Sequence, residues 1–199
     1  MFSRKYKLPT VCDNYLNVYD KCNIGCSFCK FNKDISEVKL KVIDFKKYKN
    51  QKVLVCYSVD PYPLNYDEKI IPSVIEELHN NNCNIVFLTR RADCLTKDIN
   101  VFNKGDYIGV SISENCTNNS LAEDIEKLLD LANKFNIKTW ISLEPIETFE
   151  FTYEIIKKYK DKVDIIRVGK NDLNHNKEIW ETIKLKTNEL NIKNVFVKE

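Results

Sequence analysis

A single α/β domain built around a mostly parallel sheet is what the sequence predicts, and three observations predict it. Short runs rich in β-branched and aromatic residues alternate with longer amphipathic runs along the chain. No Pro/Gly-rich linker, low-complexity tract or fixed-period repeat interrupts that series. Polar residues recur with one parity near the C-terminal ends of the apolar runs. Alternating strand and helix signals imply βαβ units, whose strands run parallel. A chain of 199 residues with 43% hydrophobic composition can bury one sizeable core, so residues 1–199 are expected to form one domain.

The strands are expected over residues 15–19, 53–58, 85–90, 107–113, 139–144 and 164–168. Between them, residues 34–50 and 92–102 read as helical, and a helix over 72–80 turns Val74, Ile75 and Leu78 inward. The best-marked helix covers 120–135. Leu121, Ile125, Leu128, Ala132 and Phe135 form its stripe, and Ser120 with Glu123 makes a capping box. Further helices are expected over 149–159 and over 177–190, the latter with Ile179, Trp180 and Ile183 inward.

Strands covered on both faces should read as apolar runs. Here Cys56 and Ser58, Arg90, Ser111 and Ser113, Ser142 and Glu144, and Arg167 and Gly169 break that pattern with the same parity. Their neighbours Val55, Val110, Ile112, Ile141, Leu143, Ile166 and Val168 would face the helices. An unpaired buried polar group costs about 1 to 3 kcal/mol, so a set gathered at one end of a sheet implies a ligand-binding mouth. In α/β sheets and barrels that end carries the sites.

Charge narrows the partners little. The 31 basic and 29 acidic residues leave a net charge of +2, too balanced to imply nucleic acid or an anionic membrane by default. The eight lysines between Lys30 and Lys52 read as a solvated face. There is no secretory-type apolar run at the start and no membrane-length apolar stretch, so the chain is expected to be cytoplasmic with no membrane partner. His79 and His175 read as surface or structural residues.

In a reducing compartment eight cysteines do not suggest a disulfide framework. Three of them, Cys22, Cys26 and Cys29, lie in "KCNIGCSFCKF" and ask for a metal with a missing fourth ligand. A zinc site completed by Cys12 or another distant residue is one answer. Cys12, Cys83, Cys94 and Cys116 otherwise read as small apolar residues.

The stretch "CNIGCSFC", with Phe28 before the last cysteine, resembles the C-x3-C-x2-C motif of the radical S-adenosylmethionine enzymes. Together with the βα series, the resemblance covers essentially the whole chain and implies a partial (β/α)6 barrel. It also implies a [4Fe-4S] cluster held by Cys22, Cys26 and Cys29, its fourth iron open to S-adenosylmethionine, and reductive cleavage to a 5′-deoxyadenosyl radical. Within that superfamily the chain is similar to the group containing spore photoproduct lyase, a DNA-repair enzyme. The segments that carry this likeness are "VLVCYSVDPYP", "VFLTRR", "GVSIS" and "WISLEPI".

Several roles follow from the resemblance. Ser58 would contact the methionine moiety of the cofactor, Arg90 its carboxylate, Ser111 or Ser113 the ribose, and Phe28 the adenine, with Glu144 near polar ligand groups. Cys56 would correspond to a hydrogen-atom donor. A reductant such as flavodoxin or ferredoxin is implied as partner. The DNA-binding portion beyond the barrel has no counterpart here, which leaves the substrate open between a nucleic-acid-derived molecule, a nucleoside precursor and a peptide. A zinc- or cluster-stabilised binding module without turnover is the alternative from another class.

Overall fold

Among the described residues seven parallel strands make one sheet in strict chain order: β1 (Asn14–Leu16), β2 (Lys52–Val55), β3 (Asn84–Thr89), β4 (Tyr107–Ile112), β5 (Lys138–Leu143), β6 (Ile165–Val168) and β7 (Val195–Val197). This is a computed structural model that describes residues 12–29, 37–114, 121–169, 177–189, 192 and 194–197. Each strand lies beside its predecessor, so every crossover advances the sheet in one direction. That is the topology of a (β/α) barrel left open between β1 and β7.

Amphipathic helices α1 (Ile70–Asn80), α2 (Ala92–Lys97), α3 (Leu121–Phe135), α4 (Phe149–Tyr159) and α5 (Lys177–Glu189) cover the outer face. In α1 the buried residues are Ile71, Val74, Ile75 and Leu78, a spacing that puts all four on one side of the helix. Each fully buried aliphatic side chain of this kind contributes about 1.5 to 3 kcal/mol. Leu121, Ile125, Leu128 and Ala132 do the same for α3, whereas Phe135 at its last position is exposed. Thr148 caps α4 by accepting a hydrogen bond from the Phe151 amide. The outward residues Val55, Val110, Ile112, Ile141, Leu143, Ile166 and Val168 are all buried in this main core.

Several expectations change: the strands expected over 15–19 and 53–58 end at Leu16 and Val55. The described part of 34–50 is not an α-helix: it carries the Tyr19–Leu40 bridge and then a 3-10 turn at Phe45–Tyr48. Val38, Leu40 and Val42 alternate with charged or polar residues, a period-2 pattern that suits an edge segment. Helix 92–102 is shorter, ending at Lys97 with a 3-10 turn at Ile99–Val101. A seventh strand, too short for periodicity to reveal, completes the sheet. Ser120, Cys116, His175, Leu190 and residues 34–36 lie outside the described residues.

His79 has a structural part. Its Nε2 lies 2.9 Å from Asp106 Oδ2, and Asp106 also accepts from the Ile85 and Asn103 amides, tying α1 to the strands beside it.

Candidate functional site

The three clustered cysteines ride on a loop that is closed at its neck. The chain leaves β1, and Tyr19 then forms an isolated antiparallel bridge with Leu40. The Asp20 amide donates to Lys39 O (3.0 Å), the Lys41 amide to Val18 O (2.9 Å), and the Lys39 amide to Asp20 Oδ1 (2.9 Å). Within the loop the Cys29 amide donates to Cys26 O at 3.0 Å. Gly25 turns the chain at φ 89, with open space where a Cβ would sit. Asn23, only 4% exposed, accepts from the Leu64 amide (2.8 Å) and pins the loop to the segment after β2. Nothing in the spacing of the sequence singled Asn23 out.

None of the three cysteines is in a disulfide; Cys26 is buried and the other two are half-buried. Burial pushes the Cys22 thiol up, while N–H groups of Ile24 and Asp60 aimed at its sulfur pull it down. No three His, Cys, Asp or Glu side chains among the described residues are gathered as closely as a metal ion needs. The fit to an iron–sulfur cluster lies in the donors: three cysteine thiols on one loop, with amide N–H groups directed at the Cys22 sulfur.

Four other residues singled out in the sequence do meet. Arg90, just past β3, donates through Nη1 to Ser113 Oγ (2.9 Å) and through Nη2 to the Glu144 carbonyl (3.0 Å). Its guanidinium also lies 4.7 Å from the centre of the Phe28 ring, inside the cysteine loop. One arginine thus joins the ends of β3, β4 and β5 to that loop. The Glu144 side chain crosses Gly169, where a Cβ would come within 2.5 Å of its carboxyl carbon.

Beneath Arg90 sits Asp60, which had no assigned role. Its carboxylate accepts from the Tyr62 amide (2.9 Å), the Thr89 hydroxyl (2.8 Å) and the Arg90 amide (2.8 Å). Burial raises its pKa, and the three donors together with the Arg90 charge oppose that rise.

Ser58 is exposed and accepts from Asn17 Nδ2 at 2.7 Å, while its amide donates to Asn17 Oδ1 at 3.1 Å. Cys56 is 5% exposed, belongs to the main core and has φ 62. That left-handed residue ends the strand alternation at Val55, so parity with the strand does not carry through to Cys56 and Ser58. Burial raises the Cys56 thiol far above its ordinary range, which keeps it protonated.

On the concave face Ser111, Ser142 and Arg167 stand in one row across β4, β5 and β6. Below them Leu54, Val86 and Trp140 form a small buried floor, with Cys12 packed against it. The Trp140 indole donates to Phe87 O at 3.0 Å, and a Cβ at Gly109 would run into Cδ1 and Nε1 of that ring. Gly109→Ala must break the indole hydrogen bond or shift a strand, so a loss of about 3 kcal/mol in denaturant unfolding is expected.

No protein-family model and no curated protein matches the sequence. Solved structures do share the fold. The crystal structure of Streptococcus suis SuiB bound to S-adenosylmethionine superposes with a TM-score of 0.59 at 14% identity, covering 94% of this chain and 46% of SuiB. SuiB bound to the precursor peptide SuiA gives 0.65 at 13% identity, with 94% and 48% covered. A third SuiB crystal structure gives 0.61 at 13% identity over the same shares. The chain spans about half the length of SuiB, and what the two have in common over nearly all of this chain is an α/β partial-barrel fold.

Proposed function

We propose that the chain is a radical S-adenosylmethionine enzyme. The observation that carries this reading is the Phe28–Arg90 contact. It sets the C-x3-C-x2-C loop against the carboxyl ends of β3, β4 and β5, where polar side chains converge. The binding of S-adenosylmethionine by SuiB, whose fold this chain shares, supports the choice of cofactor.

Cys22, Cys26 and Cys29 would hold the cluster. When bound, it supplies the electron that cleaves S-adenosylmethionine and opens hydrogen abstraction from a substrate. The residues of the chain do the rest. Arg90 has five N–H donors, of which two are engaged with Ser113 and the Glu144 carbonyl, so its fork can also take a carboxylate. Ser113 offers a hydroxyl beside it, Phe28 an aromatic face, and the Glu144 carboxyl an acceptor over Gly169. Ser58, exposed on its loop after β2, is a methionine-side contact in this reading. Cys56 takes the part of hydrogen-atom donor. Its thiol, kept protonated by burial, retains the S–H bond that this part requires.

A photoproduct-lyase-like reaction on a nucleic-acid-derived substrate, with flavodoxin or ferredoxin as reductant, belongs to the same proposal on the strength of the sequence segments quoted above. A peptide substrate is the second reading, favoured by the peptide-bound SuiB structure. Among the described residues no helix is long and apolar enough to cross a membrane.

The test is anaerobic reconstitution followed by titration with S-adenosylmethionine. An iron–sulfur spectrum that changes on addition, with release of 5′-deoxyadenosine under reduction, is expected; stoichiometric zinc without iron would refute the reading. In the same assay Arg90→Ala should weaken cofactor binding by about 1.5 to 3 kcal/mol, as for a charge-assisted hydrogen bond. Unchanged affinity would remove Arg90 from the cofactor site.

A further inference from the structure

Two buried polar atoms lack a hydrogen-bond partner among the described residues, Tyr19 Oη and Arg167 Nη2. The first is a neutral phenol, its pKa pushed up to about 12 by burial. The second is one arm of a guanidinium, and an unpartnered donor on a buried cation costs far more than an unpartnered buried hydroxyl.

Arg167 is 7% exposed. Its neighbours Ile166 and Val168 are buried under the helices, which turns Arg167 to the concave face together with Ile165. There it stands level with Ser142 and Ser111, one row above the apolar floor. Glu144 sits one row nearer the mouth, with its carboxyl over Gly169. Arg167 therefore projects from the concave face in the row above the floor, in register with two hydroxyl-bearing residues, and its charge is felt by Cys12 at that floor.

We infer that Arg167 is the anchor for an oxyanion, a carboxylate or phosphate carried by the substrate, with Ser142 and Ser111 as flanking hydroxyls. A planar fork of N–H donors in a water-poor site suits a planar or tetrahedral oxyanion. The inference deepens the radical-enzyme reading by naming a substrate class, and it rests on that reading only for calling the anion a substrate group.

The test uses the full chain, without iron and after anaerobic reconstitution, with inorganic phosphate and acetate as probes. Millimolar phosphate or acetate should raise the thermal midpoint of the wild type. In Arg167→Met the dissociation constant for the probe should rise about tenfold or more, and Arg167→Lys should fall between. Without probe, Arg167→Met should be at least as stable as the wild type, because it removes a buried guanidinium with an unpartnered Nη2. Equal responses in wild type and Arg167→Met, or no response in the wild type, would overturn the assignment. Should Arg167→Met fail to fold, Arg167→Lys decides: a probe response equal to that of the wild type overturns it.

A second arm separates the substrate anion from the carboxylate of the cofactor. S-adenosylmethionine should bind Arg167→Met within twofold of the wild type, and phosphate should not displace it. A tenfold loss of cofactor affinity together with displacement by phosphate would assign the guanidinium to the cofactor and overturn the inference. Failed reconstitution would sink the radical-enzyme reading while leaving the phosphate and acetate results to judge Arg167 alone.

Discussion

Alanine at Cys22, Cys26 or Cys29 is expected to abolish iron–sulfur loading outright, while Cys12→Ala leaves it intact. The three share one loop whose neck is closed by the Tyr19–Leu40 bridge, and each supplies a thiol that no neighbour replaces well. Cys12 precedes β1 whereas the loop follows it, and Cys12 packs against the apolar floor beside Leu54 and Trp140. Cys56 is nearer, but it lies outside the loop, packed in the main core beyond β2. Iron per chain and visible absorption after anaerobic reconstitution are the measurements. Loss of all iron in Cys12→Ala would overturn the three-cysteine assignment. Any one of the three alanine variants that loads a full cluster would break the assignment.

Helix stripes and buried strands were legible because they repeat. The outward valines and isoleucines of β2 to β6 alternate over enough residues to fix both strand and face, and α4 is found with the expected bounds. Arg90, Ser113, Glu144 and Phe28 were found by parity and by motif, and the structure brings them together. What escaped is what periodicity does not encode. β7 has three residues. The left-handed turn at Cys56 is a single backbone torsion that halts the alternation and takes Ser58 out to solvent, onto Asn17. Asn23 and Asn17 act through hydrogen bonds to segments 41 residues away in the chain, which no local pattern announces. Asp60 lay in plain sight in "VLVCYSVDPYP", yet its task is to organise backbone amides and not to meet a ligand.

Asp60→Ala is expected to cost about 3 to 5 kcal/mol and to loosen the cofactor end of the site with it. The substitution strips the acceptor from the Tyr62 amide, the Thr89 hydroxyl and the Arg90 amide at once. Each orphaned buried donor costs about 1 to 3 kcal/mol, and water entering the gap recovers part of the sum. Because one of the three is the Arg90 amide, the arginine that bridges β3, β4 and β5 to the cysteine loop loses its backbone anchor. Asp60→Asn keeps one acceptor oxygen and should lose less. Acid adds a second signature. The folded state raises the Asp60 pKa above its ordinary 3.8, so it holds that proton more tightly than the unfolded chain does. Between the raised value and 3.8 the wild type therefore gains stability relative to Asp60→Asn as pH falls, the reverse of what a salt-bridged surface carboxylate contributes. Denaturant unfolding of both proteins across that window measures it. A difference that is flat with pH, or one that shrinks on acidification, would show that the carboxylate is not held in a desolvated site, and Asp60 would lose its place as the organiser of the loop after β2.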